Sequence, residues 1–148
     1  MFDFVIRNAL ILDGTGVPWY KADVAIKGEK IAAVSARPLD GEGKVTVDGK
    51  GLALSPGFVD MHTHADISVF TDPFGSSLAY QGVTLVLMGN CGMSPAPVSD
   101  QVKERWMERL RERAINVTWS DFRGYMAAVE KSKFSVNVAA QVGHNAVR

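Results

Sequence analysis

The sequence predicts an α/β protein, with a small β-domain over residues 1–56 followed, over residues 57–148, by strand–helix–strand units of a parallel sheet. Three observations predict this. Short β-branched runs separated by Gly- and Asp-rich turns fill the first third of the chain. From Gly57 onward the rhythm changes to strand, short helix, strand, long helical stretch, strand. Two of the later apolar runs end in side chains suited to holding a metal ion.

In the first part, Val5 to Leu12 is apolar with β-branched content and is stopped by Asp13-Gly14-Thr15-Gly16 and Pro18. Val24 to Ile26 and Ile31 to Val34 flank Lys27-Gly28-Glu29-Lys30, a hairpin signal. Asp40-Gly41-Glu42-Gly43 precedes Val45 and Val47, and Asp48-Gly49-Lys50-Gly51 marks a further turn. Strands at this spacing predict a small antiparallel sheet. The boundary to the second part is expected near Ser55 to Gly57.

The second part opens on Leu54-Ser55-Pro56-Gly57-Phe58-Val59-Asp60-Met61-His62-Thr63-His64-Ala65-Asp66. Read as one buried strand, it sends Asp60, His62 and His64 to one face and Met61 and Thr63 to the other. Two imidazoles then converge on one cation, and imidazole is the usual nitrogen ligand of zinc and similar metals. The competing reading is a chance pair, one histidine packed and one exposed. The chain has three histidines, and two of them are spaced this way after a Pro-Gly entry.

A short helix is expected near Phe74 to Gln81, and then Gln81-Gly82-Val83-Thr84-Leu85-Val86-Leu87-Met88-Gly89-Asn90-Cys91-Gly92 reads as a strand buried on both faces. Cys91 falls at its carboxyl end, where the chemistry of parallel barrels is carried. A lone cysteine is commonly a small buried hydrophobe. Between Gly89 and Gly92, which let backbone approach a ligand, Cys91 also reads as a thiolate ligand. The following Met93-Ser94-Pro95-Ala96-Pro97-Val98 is a proline-broken connection that offers a pocket wall.

Val102, Trp106, Leu110 and Ala114 recur at four-residue steps as one apolar stripe of a scaffolding helix. Thr118-Trp119-Ser120-Asp121 fits a capping box opening a second helix, whose Phe122, Tyr125, Met126 and Val129 have core spacing. Packing explains Trp106, Trp119 and Tyr125 better than an aromatic cofactor box does. Phe134, Val136, Val138 and Ala140 alternate in a third strand ended by His144. That histidine reads either as a structural residue or as a group contacting substrate or supporting the site.

Composition fits an ordinary enzyme domain. Sixteen basic residues against sixteen acidic ones leave no net charge, so there is no electrostatic case for a nucleic-acid or anionic-membrane partner. One cysteine excludes an intrachain disulfide, which fits a reducing cytoplasm. The opening Met1-Phe2-Asp3-Phe4 lacks the basic start of a signal peptide, and no apolar run approaches spanning length. No phosphate-binding glycine loop is present.

Taken together, His62-Thr63-His64-Ala65-Asp66 and Met88-Gly89-Asn90-Cys91-Gly92 resemble the amidohydrolase superfamily, and within it the D-aminoacylase or N-acyl-D-amino-acid deacylase group. The run from Asp3 to Gly16 and the run from Ala22 to Val34 look like that superfamily's opening strands, and Val142 to Arg148 looks like the segment after its third barrel strand. The cysteine carries the narrower likeness, because other amidohydrolases more often bridge their metals with a carbamylated lysine or a carboxylate. The resemblance implies the amino-terminal part of a metal-dependent (β/α)8 TIM barrel, and 148 residues fall short of the about 250 of a whole barrel. It also implies zinc-dependent hydrolysis of N-acyl-D-amino acids, with Cys91 in one tight zinc site and His62 and His64 in a second, weaker one. Two further histidines and an acid/base aspartate would come from later strands, leaving no catalytic acid/base within this chain. The chain is thus read as an amino-terminal portion, inactive alone, whose open sheet edge needs the remainder of the barrel or another chain. A hydantoinase-like or dihydroorotase-like cyclic amidase, or a non-catalytic module, is the alternative.

Overall fold

Phe2–Ile11 form β1, the strand around which the first unit is built. Its side chains alternate, so Val5, Ala9 and Ile11 are buried, and Ala9 and Ile11 pack with Ala22 and Val24 in a small core. Strand β2 (Tyr20–Lys27) runs antiparallel to β1, and β3 (Lys30–Ser35) antiparallel to β2. Gly28, at φ +60°, makes the turn between them. Strands β4 (Gly43–Asp48) and β5 (Ala53–Leu54) both run parallel to β1. The order is β3-β2-β1-β4 with β5 also on β1, so the sheet is mixed rather than antiparallel as expected.

Two residues account for that difference. The Arg7 guanidinium donates to the Leu39 and Gly41 carbonyls at 3.0 and 2.8 Å and to Asp23 Oδ2 at 2.9 Å. Asp23 Oδ2 in turn accepts from Leu39 N at 3.1 Å. The connection after β3 is thereby held across the sheet, and the chain re-enters alongside β1 in the same direction. The β1–β2 register shifts between Ile6 and Ala9, where Asn8 sits at φ +59°. Its N–H leaves the ladder and finds Asp23 Oδ1 at 2.9 Å.

The computed structural model describes residues 1–98, 104, 108 and 110–148, which divide into two compact units, Met1–Pro56 and Gly57–Arg148. In the second unit β6 (Phe58–Asp60), β7 (Val83–Met88) and β8 (Asn137–Ala140) form a parallel three-stranded sheet in chain order. Helices α1 (Ala65–Thr71) and α2 (Ser76–Ala79) connect β6 to β7, α3 (Phe122–Ser132) precedes β8, and α4 (His144–Val147) follows it. Parallel neighbours require such crossovers. The core joins Val69 of α1, Val86 and Met88 of β7, and Tyr125 and Val129 of α3. Phe70 stacks on Trp119 at 5.2 Å, and Trp119 Nε1 donates to the Pro95 carbonyl at 3.0 Å. Trp119 and Tyr125 are thus core residues, not a cofactor box.

The strand after Gly57 stops at Asp60, and its Phe58 and Val59 are 59% and 53% exposed because β6 is a sheet edge. Strand β7 is fully buried only at Val86 and Met88, while Thr84 faces solvent. Helix α1 begins at Ala65, where the motif spacing predicts that the strand still runs. The N-cap of α3 is Asp121, whose carboxylate accepts from Gly124 N at 2.7 Å, rather than Thr118. Leu110 is buried, but Ala114 is exposed at φ +57°, past the end of its helix. Val102 and Trp106 lie outside the described residues. No helix among the described residues is long and apolar enough to cross a membrane.

Candidate metal centre

In a parallel sheet all strands end on the same side, so the segments that follow β6, β7 and β8 gather at one rim. Beyond Asp60 the chain turns at once, since Asp60 Oδ1 accepts from His62 N at 3.0 Å. Thr63 N then donates to the Leu87 carbonyl at 3.3 Å, tying the segment to β7, and His64 is the N-cap residue of α1. The two histidines therefore sit on a loop, not on the strand, and strand parity does not bring them together. Their rings are 5.7 Å apart at a steep angle.

After Met88 the chain makes a turn in which Met93 N donates to the Asn90 carbonyl at 3.0 Å. Both central residues have positive φ, Cys91 at +55° and Gly92 at +74°, the signature of a type I′ turn. For glycine this is routine. For cysteine the left-handed region costs about 1–2 kcal/mol, and such outliers concentrate at functional sites. Gly89, at φ +83°, has a different reason from the one expected, because a Cβ there would collide with the Gln141 carbonyl oxygen. It admits the chain after β8 rather than a ligand.

The turn delivers the thiol to the histidines. Cys91 Sγ lies 3.2 Å from His62 Nε2, and one ligand atom each of His62, His64 and Cys91 lies within 4.8 Å of the other two. All three side chains are exposed, so a cation would reach them without rearrangement of the core. In a tetrahedral zinc site the bond lengths place ligand atoms about 3.3–3.6 Å apart. The His62–Cys91 pair, at 3.2 Å, has about that spacing, and the 4.8 Å bound on the set leaves room for one cation or for the facing ligands of two neighbouring ones. Two imidazoles and a thiol also form a donor set suited to zinc and ill suited to magnesium or calcium.

The third sequence candidate is placed differently. His144 does not end β8 but opens α4, is exposed, and is not part of the three-residue group. Its neighbours are stitched to the cysteine loop, with Gly143 N donating to Ser94 Oγ at 3.0 Å and Asn145 N to the Gly92 carbonyl at 2.8 Å. A small cavity of about 110 Å³ is lined by His64, Asp66, Ile67, Met93, Ser94 and Pro95. The proline-broken connection thus does form a pocket wall, on a space far below the about 300 Å³ of a typical ligand site.

Asp66 and Asn90, beside the three candidate ligands, are buried polar residues. Asp66 Oδ1 accepts from Gly89 N at 2.9 Å, and burial pushes its carboxyl above the ordinary carboxylate range against the opposing effects of backbone donors and His64. Burial, with Asp66 nearby, likewise pushes the Tyr125 hydroxyl up, and that hydroxyl donates to the Asp66 carbonyl at 3.1 Å. Asn90 is 6% exposed and spends its carboxamide on Thr63, Leu87 and Gln141. The available signal was their type, a polar residue beside an otherwise apolar run.

Comparison with known proteins matches the profile of the amidohydrolase family to residues 45–148. The N-acyl-D-aspartate deacylase of Alcaligenes xylosoxydans xylosoxydans is 35% identical over 146 residues, which are 99% of this chain and 29% of that protein. The crystal structure of N-acyl-D-glutamate deacylase from Bordetella bronchiseptica, complexed with zinc and a phosphonate inhibitor that mimics the reaction's tetrahedral intermediate, superimposes with a TM-score of 0.81 at 31% identity. The match covers 99% of this chain and 30% of that one. A solved D-aminoacylase, described as having a binuclear metal centre with one-metal activation and second-metal attenuation, gives a TM-score of 0.84 at 32% identity, over 99% of this chain and 31% of that one. The chain therefore spans about 30% of the length of the relatives it matches.

Proposed function

Because this chain belongs to the amidohydrolase family, we propose that it supplies part of the metal site of an enzyme that hydrolyses the N-acyl bond of N-acyl-D-amino acids, with zinc as the metal. The carrying observation is the thiol. Cys91 stands within 4.8 Å of two imidazole nitrogens, on a strained turn, in a chain similar to deacylases along nearly its whole length. Bound zinc acidifies water to a pKa of about 7 and polarises an amide carbonyl.

In this reading Cys91 belongs to a tight site completed by two histidines from elsewhere in the enzyme, and His62 and His64 form the adjacent, weaker one. The Asp60 carboxylate, bonded to His62 N, sets the course of the histidine loop. His144, beside residues bonded to the cysteine loop, is a candidate for substrate contact. The proton for the leaving amine comes from an aspartate outside these residues. Residues 1–56 serve as the small β-domain and 57–148 as the first βα units of the barrel, with its remainder covering Phe58 and Val59 at the β6 edge. Catalytic zinc takes about three protein ligands at one ion. The 148 residues alone are therefore expected to bind zinc weakly and to lack turnover. A single cysteine fits a cytoplasmic enzyme, and zero net charge gives no electrostatic case for a nucleic-acid or anionic-membrane partner, which fits a small-molecule substrate.

The test is hydrolysis by the complete protein carrying this chain, offered N-acyl-D-amino acids, their L-isomers and cyclic imides, before and after chelation. D-selective release of free amine, lost with the metal and restored by zinc, is the expected result. Turnover of cyclic imides alone would overturn the proposal.

A further inference from the structure

We propose that Asn90 is the positioning residue of this centre, a buried clasp that sets the distance between Cys91 and the His62–His64 loop. The inference rests on the reading of those three residues as metal ligands. Exposed side chains on two loops do not fix one another, since their one direct contact is the 3.2 Å approach of His62 Nε2 and Cys91 Sγ. Something less mobile has to hold the loops together.

Asn90 is placed to do so. Only 6% exposed, it precedes Cys91 directly, and its Nδ2 donates one hydrogen to the Thr63 carbonyl at 3.2 Å and the other to the Leu87 carbonyl at 2.7 Å. Thr63 stands between the two histidines, and its own N–H donates to the same Leu87 carbonyl at 3.3 Å. From the other side, Gln141 Nε2 donates to Asn90 Oδ1 at 3.0 Å. One carboxamide therefore joins the segments after β6, β7 and β8. The Asn90 main-chain carbonyl also closes the turn that holds Cys91 at φ +55°.

The chemistry is specific to asparagine. The clasp needs two donors and one acceptor on a short arm. Aspartate has the same shape but no donor at neutral pH, and would set a carboxylate against two carbonyl oxygens. Serine offers one donor, and glutamine is a methylene too long.

Cobalt(II) is the probe, titrated into the metal-depleted complete protein and read by thiolate-to-cobalt charge-transfer absorption, with thermal unfolding measured separately in chelator. Asn90→Asp is expected to weaken cobalt binding about 10- to 100-fold, as loss of groups supporting metal ligands does, and to lose the thiolate band at cobalt levels that saturate wild type. Gln141→Ala, which alters an exposed side chain, is expected to weaken binding by a smaller factor with unfolding near wild type, and it carries the test if Asn90→Asp does not fold. A folded Asn90→Asp protein with lowered unfolding temperature but wild-type cobalt affinity and band would reduce Asn90 to a structural role and overturn the proposal. Wild-type behaviour of Gln141→Ala in the absence of a folded Asn90→Asp protein would do the same. A wild-type protein that gives no thiolate band overturns the metal reading itself, and the clasp with it.

Discussion

Replacing Cys91 by glycine separates what the site costs from what it does. At φ +55° a side chain with a Cβ is destabilised by about 1–2 kcal/mol relative to glycine. The greater freedom of glycine in the unfolded chain takes back about 0.4–1 kcal/mol. The thiol is exposed, so its contact with His62 contributes less than about 1 kcal/mol. Cys91→Ala loses the same contact and keeps the Cβ, so the difference between the two variants isolates the backbone. In chelator, Cys91→Gly is expected to be about 0.5–1 kcal/mol more stable than Cys91→Ala, or about 1–4 °C in Tm. With zinc at a hundred times its Kd, wild type gains about 2.7 kcal/mol and both variants lose most of that. Thermal unfolding of the three proteins with and without zinc reads both effects. Equal stability of the two variants in chelator would refute the strain argument, and an undiminished zinc response in Cys91→Ala would refute the role of the thiol.

Asp23→Ala is expected to destabilise the first unit by about 3 kcal/mol in denaturant titration, because Asn8 N, Leu39 N and the Arg7 guanidinium all lose their acceptor. Burial alone would push that carboxyl up, but the Asn8 and Leu39 N–H groups and Arg7 outweigh it and hold it below the usual carboxylate range. Its stabilisation is therefore complete above the unfolded value of about 3.9 and is lost as pH falls through the lower folded value, so the acid limb of a stability profile should shrink in the variant. Ala114→Gly should stabilise by about 0.5–1 kcal/mol, since Ala114 occupies the left-handed position of a Schellman motif in which Ile115 N reaches the Leu110 carbonyl at 2.9 Å and Ala114 N the Arg111 carbonyl at 2.8 Å. Gly89→Ala should cost more than about 2 kcal/mol and impair cobalt binding, because the new methyl meets the Gln141 carbonyl and the backbone sits at φ +83°.

The strands of the first unit were legible because apolar runs and turn residues are local signals, as in the Lys27-Gly28-Glu29-Lys30 hairpin, and β7 was legible as a continuous apolar run, but the early end of β6 was not. The direction of β4 was not, since it depends on Arg7 and Asp23 holding a connection far away in sequence. His62, His64 and Cys91 were legible as candidates from residue type and spacing, but the parity argument for them fails where Asp60 caps a turn and ends the strand. What brings them together is an interaction between loops, and a single sequence without its contacts does not display that. Gly89 shows the same limit: the glycine was evident, whereas the Gln141 carbonyl that requires it lies across the sheet.

The central claim is that His62, His64 and Cys91 hold zinc, and anomalous diffraction at the zinc edge from crystals of the zinc-loaded complete protein tests it most directly. The account predicts anomalous density at about 2.0–2.1 Å from nitrogens of the two imidazoles and at about 2.3 Å from Cys91 Sγ, at one ion or at two neighbouring ions. Anomalous density elsewhere, with these three side chains left without zinc, would contradict it.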